Sequence, residues 1–263
     1  MDLGLRGAKV LVTAASQGLG AATARQFSRE GAQVVISSRS LSSLQETASA
    51  INAETENPVY TIQGDVRDDD SNQRLVRNAA ETLNGLDILV INAGGPPAGS
   101  FVDFDLASWQ SAVQLTLLSA VSLVQHALPY LKRSKRASIL AIVSVAAKQP
   151  VHNLTLSNTL RPAVVGLTKT LSDELAPSGI RVNSILPGLT ETARISNLMQ
   201  ARAEKNQTTP EDERKHSTAD IPLGRFGTPE EFANAAVFLA SPAANFITGI
   251  ALAVDGGNIR ATL

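Results

Sequence analysis

The chain has 263 residues, of which 43% are apolar and 18% charged, and its formal net charge is -1. This balance gives no reason to expect a nucleic acid or an anionic membrane as a partner. Because there is no cysteine, disulfide bonds and thiolate metal ligands are excluded, and the three histidines, His126, His152 and His216, stand in unrelated surroundings, so we expect no metal site. The N-terminal residues lack an apolar targeting core and no run approaches the roughly 18 apolar residues of a membrane span, so we expect a cytoplasmic protein.

Short apolar runs typical of β-strands alternate along the chain with helical patterns. Strands are predicted over 8–13, 33–37, 59–63, 86–91, 138–143, 181–186 and 250–254, and helices over 19–29, 41–53, 69–83, 105–131 and 155–176. Such alternation is typical of right-handed βαβ units. It predicts an α/β fold, a doubly wound parallel sheet of about seven strands with helices on both faces. No internal repeat or linker divides the sequence, so we expect a single domain over 1–263.

The first strand leads into a glycine-rich turn, Lys9-Val-Leu-Val-Thr-Ala-Ala-Ser-Gln-Gly-Leu-Gly20, after which a helical pattern begins. A turn of this kind places backbone N–H groups at the positive end of a helix, where a pyrophosphate can bind. Gly18 and Gly20 would let the cofactor and the strand approach the backbone closely, since neither carries a Cβ atom. The sequence therefore predicts a dinucleotide site at this turn.

The second strand ends in Ser37-Ser38-Arg39, about 20 residues past the glycines, where a residue that reads the adenosine ribose belongs. A carboxylate at this position would hold the ribose hydroxyls of NAD, whereas a Ser-Arg pair favours the 2′-phosphate of NADP. We therefore predict NADP as the cofactor, with NAD as the alternative. In that alternative Arg39 only ends the strand and packs over the adenine.

Several segments resemble those of the short-chain dehydrogenases/reductases. Thr13-Ala-Ala-Ser-Gln-Gly-Leu-Gly20 resembles the TGxxxGxG element of that family, Asn92-Ala-Gly94 its NNAG element, Gly64-Asp65-Val66 its adenine-side turn and Pro187-Gly188 the turn after its sixth strand. The resemblance runs from about Leu5 to Gly257, with the segments in order and at the usual spacing. It is greatest to the 3-oxoacyl-acyl-carrier-protein reductase branch.

The resemblance implies a Rossmann-like fold, an NAD(P)-dependent oxidoreductase and a set of cofactor-binding positions. The expected cofactor-binding residues are Thr13, Ser16, Gln17, Gly18, Leu19, Gly20, Ser38, Arg39, Asp65, Val66, Asn92, Ala93, Gly94, Arg161, Pro187, Gly188, Thr190 and Thr192. It also implies that residues 189–222 form a lid over the substrate. The many charges of this segment, Arg194 among them, are expected to form a solvated face.

The catalytic tetrad of the family is Asn, Ser, Tyr and Lys, and this chain keeps only the serine, as Ser144. Ser157 stands at the tyrosine position, Arg161 at the lysine position and Thr116 at the asparagine position. Ala14 replaces the first glycine of TGxxxGxG, a change expected to cost little provided that φ is negative there.

An altered tetrad limits the chemistry. The hydroxyl of Ser157 has too high a pKa to be ionised by a neighbouring cation, and Arg161 is effectively always protonated, so neither is expected to supply the proton as the family's tyrosine does. Ser144, Ser157 and Arg161 can still donate hydrogen bonds to a carbonyl or a developing alkoxide. Arg161 could also hold the nicotinamide ribose or an anionic ligand. His152 could in principle deliver a proton, but it and Lys148 are expected to be solvated loop residues.

Three functional hypotheses follow, of which we favour an NADP-dependent oxidoreductase acting on a small-molecule carbonyl or alcohol. The main alternative is a dinucleotide-binding pseudo-dehydrogenase, a sensor or structural subunit without redox turnover. A third is a non-redox enzyme that uses Ser144 and Arg161 on a carboxylated ligand. The helices over 105–131 and 155–176 are apolar on more than one face, which predicts a homodimer or homotetramer.

Overall fold

The apolar runs of the sequence form a parallel sheet in the computed structural model, which describes residues 1–55 and 57–262. Its strands are β1 (Lys9–Val12), β2 (Gln33–Ser38), β3 (Val59–Gln63), β4 (Ile88–Ile91), β5 (Ser138–Ile142), β6 (Arg181–Pro187) and β7 (Ala251–Val254). The seven strands lie in the order β3-β2-β1-β4-β5-β6-β7, and each pair is parallel. The strand order reverses between β1 and β4, and ligands of such sheets bind in the crevice at that point. The predicted fold class is confirmed.

Helices cover both faces of this sheet. They are α1 (Gly18–Arg29), α2 (Leu41–Asn52), α3 (Asp69–Leu83), α4 (Leu106–Val113), α5 (Ser119–Leu131), α6 (Thr155–Leu175), α7 (Ala193–Asn206), α8 (Pro210–Ala219) and α9 (Pro229–Ala240). On one face Val10 and Val34 belong to the core that contains Phe27 of α1, and on the other Leu11 and Val35 belong to the core of α3 and α5. Burial on both faces explains why the strands read as continuous apolar runs.

The helix predicted over 105–131 is not regular throughout. A π-helical turn, Gln114–Leu118, separates α4 from α5 and contains Thr116. Turns of this kind are rare and are found frequently at functional sites, since they change the direction of the side chains they carry. The apolar periodicity of the segment predicts a helix, but it does not predict the π-helical turn, which contains one residue more than a turn of α-helix.

The same segment, Leu106–Leu131, has 26 residues and contains an 18-residue window with a mean hydropathy of 1.3, so by length and composition alone it could cross a membrane. It is not an uninterrupted apolar run, since Gln114, Gln125 and His126 lie within it. In this fold Leu123, Val124 and Ala127 are buried in the core against the sheet. Packing inside the protein therefore accounts for the apolar character of this face of the helix.

Candidate active site

The ends of β1 and β4 are joined at the point where the strand order reverses. Thr13 is fully buried, and its hydroxyl donates a hydrogen bond to the carbonyl of Asn92 at 2.7 Å and accepts one from the Asn92 amide at 2.9 Å. The Asn92 side-chain amide donates to the carbonyl of Ala14 at 3.0 Å. These bonds fix the glycine-rich turn relative to the segment that follows β4.

Ala14 adopts the left-handed conformation, with φ of +47°. The expectation of a negative φ is therefore wrong, and the turn retains the geometry for which the family uses glycine. An L-residue in this region pays roughly 1–2 kcal/mol, because its Cβ atom crowds the following carbonyl. The chain carries this strain at the edge of the cofactor crevice.

The turn fits a dinucleotide pyrophosphate. Gln17, the N-cap residue of α1, makes no side-chain capping bond, and the first turn of the helix has no acidic residue, so its N–H groups remain available to an anion. A Cβ atom on Gly20 would come within 2.7 Å of the side-chain nitrogen of Asn92. Gly94 faces open space, with nothing within 4 Å of where its Cβ would be. The glycines thus leave room for a ligand above the turn.

The adenine end of the crevice has an exposed arginine next to an ion pair. Arg67 binds both carboxylate oxygens of Asp65, the shorter contact being 2.6 Å, and this hydrogen bonding holds the pKa of Asp65 below its ordinary value. Arg39 is exposed at the end of β2, where Gln63 donates to its carbonyl at 2.8 Å, and its charge lowers the pKa of Asp65 further. Because Asp65 is paired with Arg67, the guanidinium of Arg39 is available for a phosphate.

The tetrad positions come together where α6 meets the ends of the central strands. Ser144 follows β5, and its hydroxyl accepts a hydrogen bond from the Ala146 amide at 3.1 Å. Ser157 and Arg161 lie one turn apart on α6 and are 6% and 8% exposed. Helix α6 packs against the turn after Ser144 and against the π-helical turn that carries Thr116. The hydroxyl of Thr116 is buried and has no hydrogen-bond partner within residues 1–55 and 57–262.

Arg161 is the most unusual group of the site. Its Nε atom is buried and finds no hydrogen-bond partner in the described part of the chain. Burial lowers the pKa of Arg161 to about 10, and the charge of Arg194 contributes to the shift. A buried cation without a partner is destabilising unless a ligand accepts its hydrogen bonds. Arg161 is therefore a candidate to bind an oxygen atom or an anion in the crevice.

The sequence profile of the enoyl-(acyl carrier protein) reductase family matches residues 13–258. The chain belongs to the short-chain dehydrogenase/reductase family. Cis-4-hydroxycyclohexanecarboxylate dehydrogenase of Sinomonas cyclohexanicum is 34% identical over 248 residues, which cover 94% of each chain. A 3-oxoacyl-acyl-carrier-protein reductase of Thermotoga maritima is 32% identical over 256 residues, covering 96% of this chain and 98% of the relative.

Solved structures of the family superimpose over nearly the whole chain. L-sorbose reductase from Gluconobacter frateurii, complexed with NADPH and L-sorbose, is 30% identical with a TM-score of 0.95 and covers 99% of this chain and 100% of its own. An NADPH-bound short-chain oxidoreductase from Pseudomonas aeruginosa PAO1, described as containing an atypical catalytic center, is 30% identical with a TM-score of 0.89, covering 98% and 99%. The family therefore includes a protein with an atypical center.

In this short-chain dehydrogenase/reductase, a side chain of α6 binds the backbone of the loop between Ser144 and α6. The side chain of Asn158 bonds to both the amide and the carbonyl of Val151, each at 2.9 Å. Lys148 and His152 on this loop are exposed, as expected for solvated residues. Neither provides a buried proton donor beside Ser157.

The segment after β6 crosses the crevice. Thr192 caps α7, and its methyl group lies 3.7 Å from the position of a Cβ atom on Gly18, so it faces the glycine-rich turn. Thr190 is buried and its hydroxyl turns back to the carbonyl of Gly188 at 3.3 Å. A Cβ atom on Gly188 would lie 2.8 Å from the Cα atom of Asp255. Of these positions Thr192 is the best placed for a cofactor, whereas packing already requires Gly188.

Arg194 is exposed, as the sequence predicts for the charges of this segment, but its side chain also contacts the protein. Its guanidinium does not point only to solvent but lies against Gly95, in the space that a side chain at that position would occupy. It thus bridges helix α7 and the loop after β4. The consecutive glycines of Gly94-Gly95 are the only signal of this contact in the sequence.

Proposed function

We propose that this member of the family is an NADP-dependent oxidoreductase that interconverts a carbonyl and an alcohol through an atypical site formed by Thr116, Ser144, Ser157 and Arg161. The observation that carries the proposal is the buried Nε atom of Arg161, one helical turn from Ser157, which has no hydrogen-bond partner among the described residues. The open cradle at Gly94 and the exposed Arg39 support a bound NADP. The NADPH held by two solved relatives supports the same cofactor.

When bound, the nicotinamide supplies a hydride to a carbonyl carbon or accepts one from an alcohol. The hydroxyls of Ser144 and Ser157 and the guanidinium of Arg161 donate hydrogen bonds to the substrate oxygen and stabilise the negative charge that forms on it during reduction. The proton that completes the alcohol comes from water, since no side chain here matches the family's tyrosine. The loss of a positioned general acid costs about 10²- to 10⁴-fold in rate, so turnover is expected to be slow.

The names of the relatives support a substrate that is a secondary alcohol or a ketone. They comprise a dehydrogenase of a hydroxycyclohexanecarboxylate, a reductase of the ketose L-sorbose and a reductase of 3-oxoacyl thioesters. In the proposed arrangement residues 189–222 act as the substrate lid of a single dinucleotide-binding domain. Met199 of α7 in this segment forms a small apolar core with Ile221 and Phe226, which follow α8.

A second candidate function is a dinucleotide-binding pseudo-dehydrogenase. It is favoured by the replacement of three of the four tetrad residues, with Ser144 alone retained. The two functions predict the same NADPH affinity and differ only in turnover. The non-redox alternative differs from both, because it requires no nicotinamide in the crevice.

The decisive experiment titrates the purified protein with NADPH and NADH by fluorescence and then follows absorbance at 340 nm with aldehydes, ketones and 3-oxoacyl thioesters. Turnover that is lost in Ser144→Ala and kept in His152→Ala supports the oxidoreductase. Tight NADPH binding without turnover on any substrate favours the pseudo-dehydrogenase. Turnover that survives Ser144→Ala but disappears in His152→Ala would show that the wrong polar group has been assigned.

We also propose that the chain forms a homodimer or homotetramer. Leu118 at the start of α5 is 43% exposed in the single chain, and the neighbouring Leu115 and Leu117 are only partly buried. Contact with a second copy would remove this apolar surface from water. Light scattering coupled to size-exclusion chromatography measures the mass directly, and a mass near the 27.6 kDa of one chain would contradict the proposal.

A further inference from the structure

Two guanidinium groups flank the crevice beyond the glycine-rich turn. Arg161 extends from α6, with its Nε atom buried and unpartnered within the described residues. Arg194 extends from the lid helix α7 onto Gly95, near the start of the loop that follows β4. The same loop is bonded to the start of α6, since the Thr155 amide donates to the carbonyl of Gly99 at 3.2 Å, so both guanidinium groups belong to one edge of the sheet. The charge of Arg194 also lowers the pKa of Arg161.

The surrounding acidic side chains do not neutralise this pair. Glu191, the nearest acidic residue in sequence to Arg194, binds Arg214 at 2.8 Å. Glu213, on the second helix of the lid, accepts hydrogen bonds from Asn206 and Thr208. In residues 1–55 and 57–262, ion pairs within 4.0 Å involve neither Arg161 nor Arg194. Arg161 is buried and Arg194 is exposed, and two like charges at one edge of a crevice are stabilised when an anion binds between them.

The phosphates of the cofactor are not the anion that this position suits. The pyrophosphate site lies at the N-terminus of α1, where Thr192 rather than Arg194 is the closest lid residue to Gly18. The 2′-phosphate site lies at Arg39 on β2, which is separated from β4 by β1. Arg161 and Arg194 lie on the other side of the switch point, on the side of Ser144 and Ser157. The position therefore belongs to the substrate.

We propose that Arg161 and Arg194 bind the carboxylate of the substrate, so that this enzyme acts on hydroxy acids and oxo acids. The inference rests on the proposed function. In the reaction a hydroxy acid and NADP⁺ give an oxo acid, NADPH and one proton, and the carboxylate takes no part in the bond changes. A guanidinium has five N–H donors, so Arg161 can bind the reacting oxygen or a ribose hydroxyl and still share the carboxylate with Arg194. Arg194 is thereby a specificity-determining residue.

The test compares two ligands of the same shape, cyclohexanecarboxylate and cyclohexanecarboxamide, titrated by calorimetry into the protein saturated with NADP⁺. The wild type is expected to bind the carboxylate at least about tenfold more tightly, as charge-assisted hydrogen bonds imply. This preference should fall about tenfold in Arg194→Gln and be partly restored in Arg194→Lys. Arg202→Gln, on the same helix but bonded to Ser217, is the matched control and should leave the preference unchanged.

An unchanged preference in Arg194→Gln overturns the proposal, as does the failure of the wild type to bind any of a panel of linear and cyclic monocarboxylates. Weaker NADPH binding by Arg194→Gln with an intact preference would assign this side chain to the cofactor phosphates instead. The titrations are repeated without NADP⁺. If the protein binds no dinucleotide, the proposed function fails, but the carboxylate preference is still measured on its own.

Discussion

The side chain of Asn92 donates a hydrogen bond to the carbonyl of Ala14, and this bond joins residues 78 positions apart in the chain. Ala14 is held there in the left-handed conformation, while a Cβ atom on Gly20 would collide with the same Asn92 nitrogen. The glycine-rich turn is thus shaped by a side chain from the neighbouring strand as well as by its own sequence. Strain of this kind persists where the surrounding structure holds the residue in place, as the Asn92 side chain does here.

Ala14→Gly is expected to raise the free energy of unfolding by up to about 1 kcal/mol, because glycine removes the left-handed strain of roughly 1–2 kcal/mol but loses more backbone entropy on folding. Urea denaturation measures the difference. Ala15→Gly is the control, since Ala15 is buried and its φ is not positive. That variant should be less stable than the wild type. A loss of stability in Ala14→Gly equal to that in Ala15→Gly would show that the turn is not strained.

Arg161→Met should stabilise the protein without ligands and impair its function. The substitution removes a buried cation that has no partner among the described residues, which should raise the free energy of unfolding by about 1–3 kcal/mol. NADPH-dependent turnover should fall at least about tenfold, since Arg161 is a donor to the reacting oxygen in the proposed site. Stability is measured by urea denaturation and turnover at 340 nm.

Arg181→Met provides the matched control for that substitution. Arg181 is also buried, but its guanidinium donates to the carbonyls of Leu239, Ala240 and Ser241 at 2.8–2.9 Å. Its removal leaves buried acceptors without donors and should destabilise the protein. If the free energy of unfolding falls by the same amount in both variants, Arg161 has a structural partner and its guanidinium is not free to bind a ligand.

Arg39→Ala should weaken NADPH binding by about tenfold or more and leave NADH binding within about twofold, because only NADPH carries the 2′-phosphate that a guanidinium would bind. Fluorescence titration with both cofactors gives the two dissociation constants. Arg67→Ala is a useful comparison, since Arg67 is paired with Asp65. It should affect both cofactors to a similar extent. Equal loss of NADH and NADPH affinity in Arg39→Ala would favour simple stacking over the adenine.

The sheet could be predicted from the sequence, because its apolar strands recur along the chain between helical patterns. The elements that carry Ser144, Ser157 and Arg161 could be predicted in the same way, whereas the catalytic roles of these residues stay predictions. Apolar strands separated by amphipathic helices allow few topologies. The helix predicted over 155–176 corresponds to α6, which carries Ser157. The conformation of Ala14 could not be predicted, since it depends on a hydrogen bond from Asn92. The contact of Arg194 with Gly95 depends on how α7 packs against the loop after β4, which no short segment determines.

Ser157→Tyr combined with Arg161→Lys restores the two residues that the family uses for proton transfer. If the crevice holds NADPH and a ketone as proposed, a phenol whose pKa is lowered by the adjacent ammonium group should raise kcat by about 10²-fold or more. The rate is measured at 340 nm with the best ketone substrate. Ser157→Phe with Arg161→Lys is the matched control, because it has the same bulk and the same cation but no hydroxyl. An equal rate in the two double variants would show that the substrate oxygen does not lie within reach of position 157.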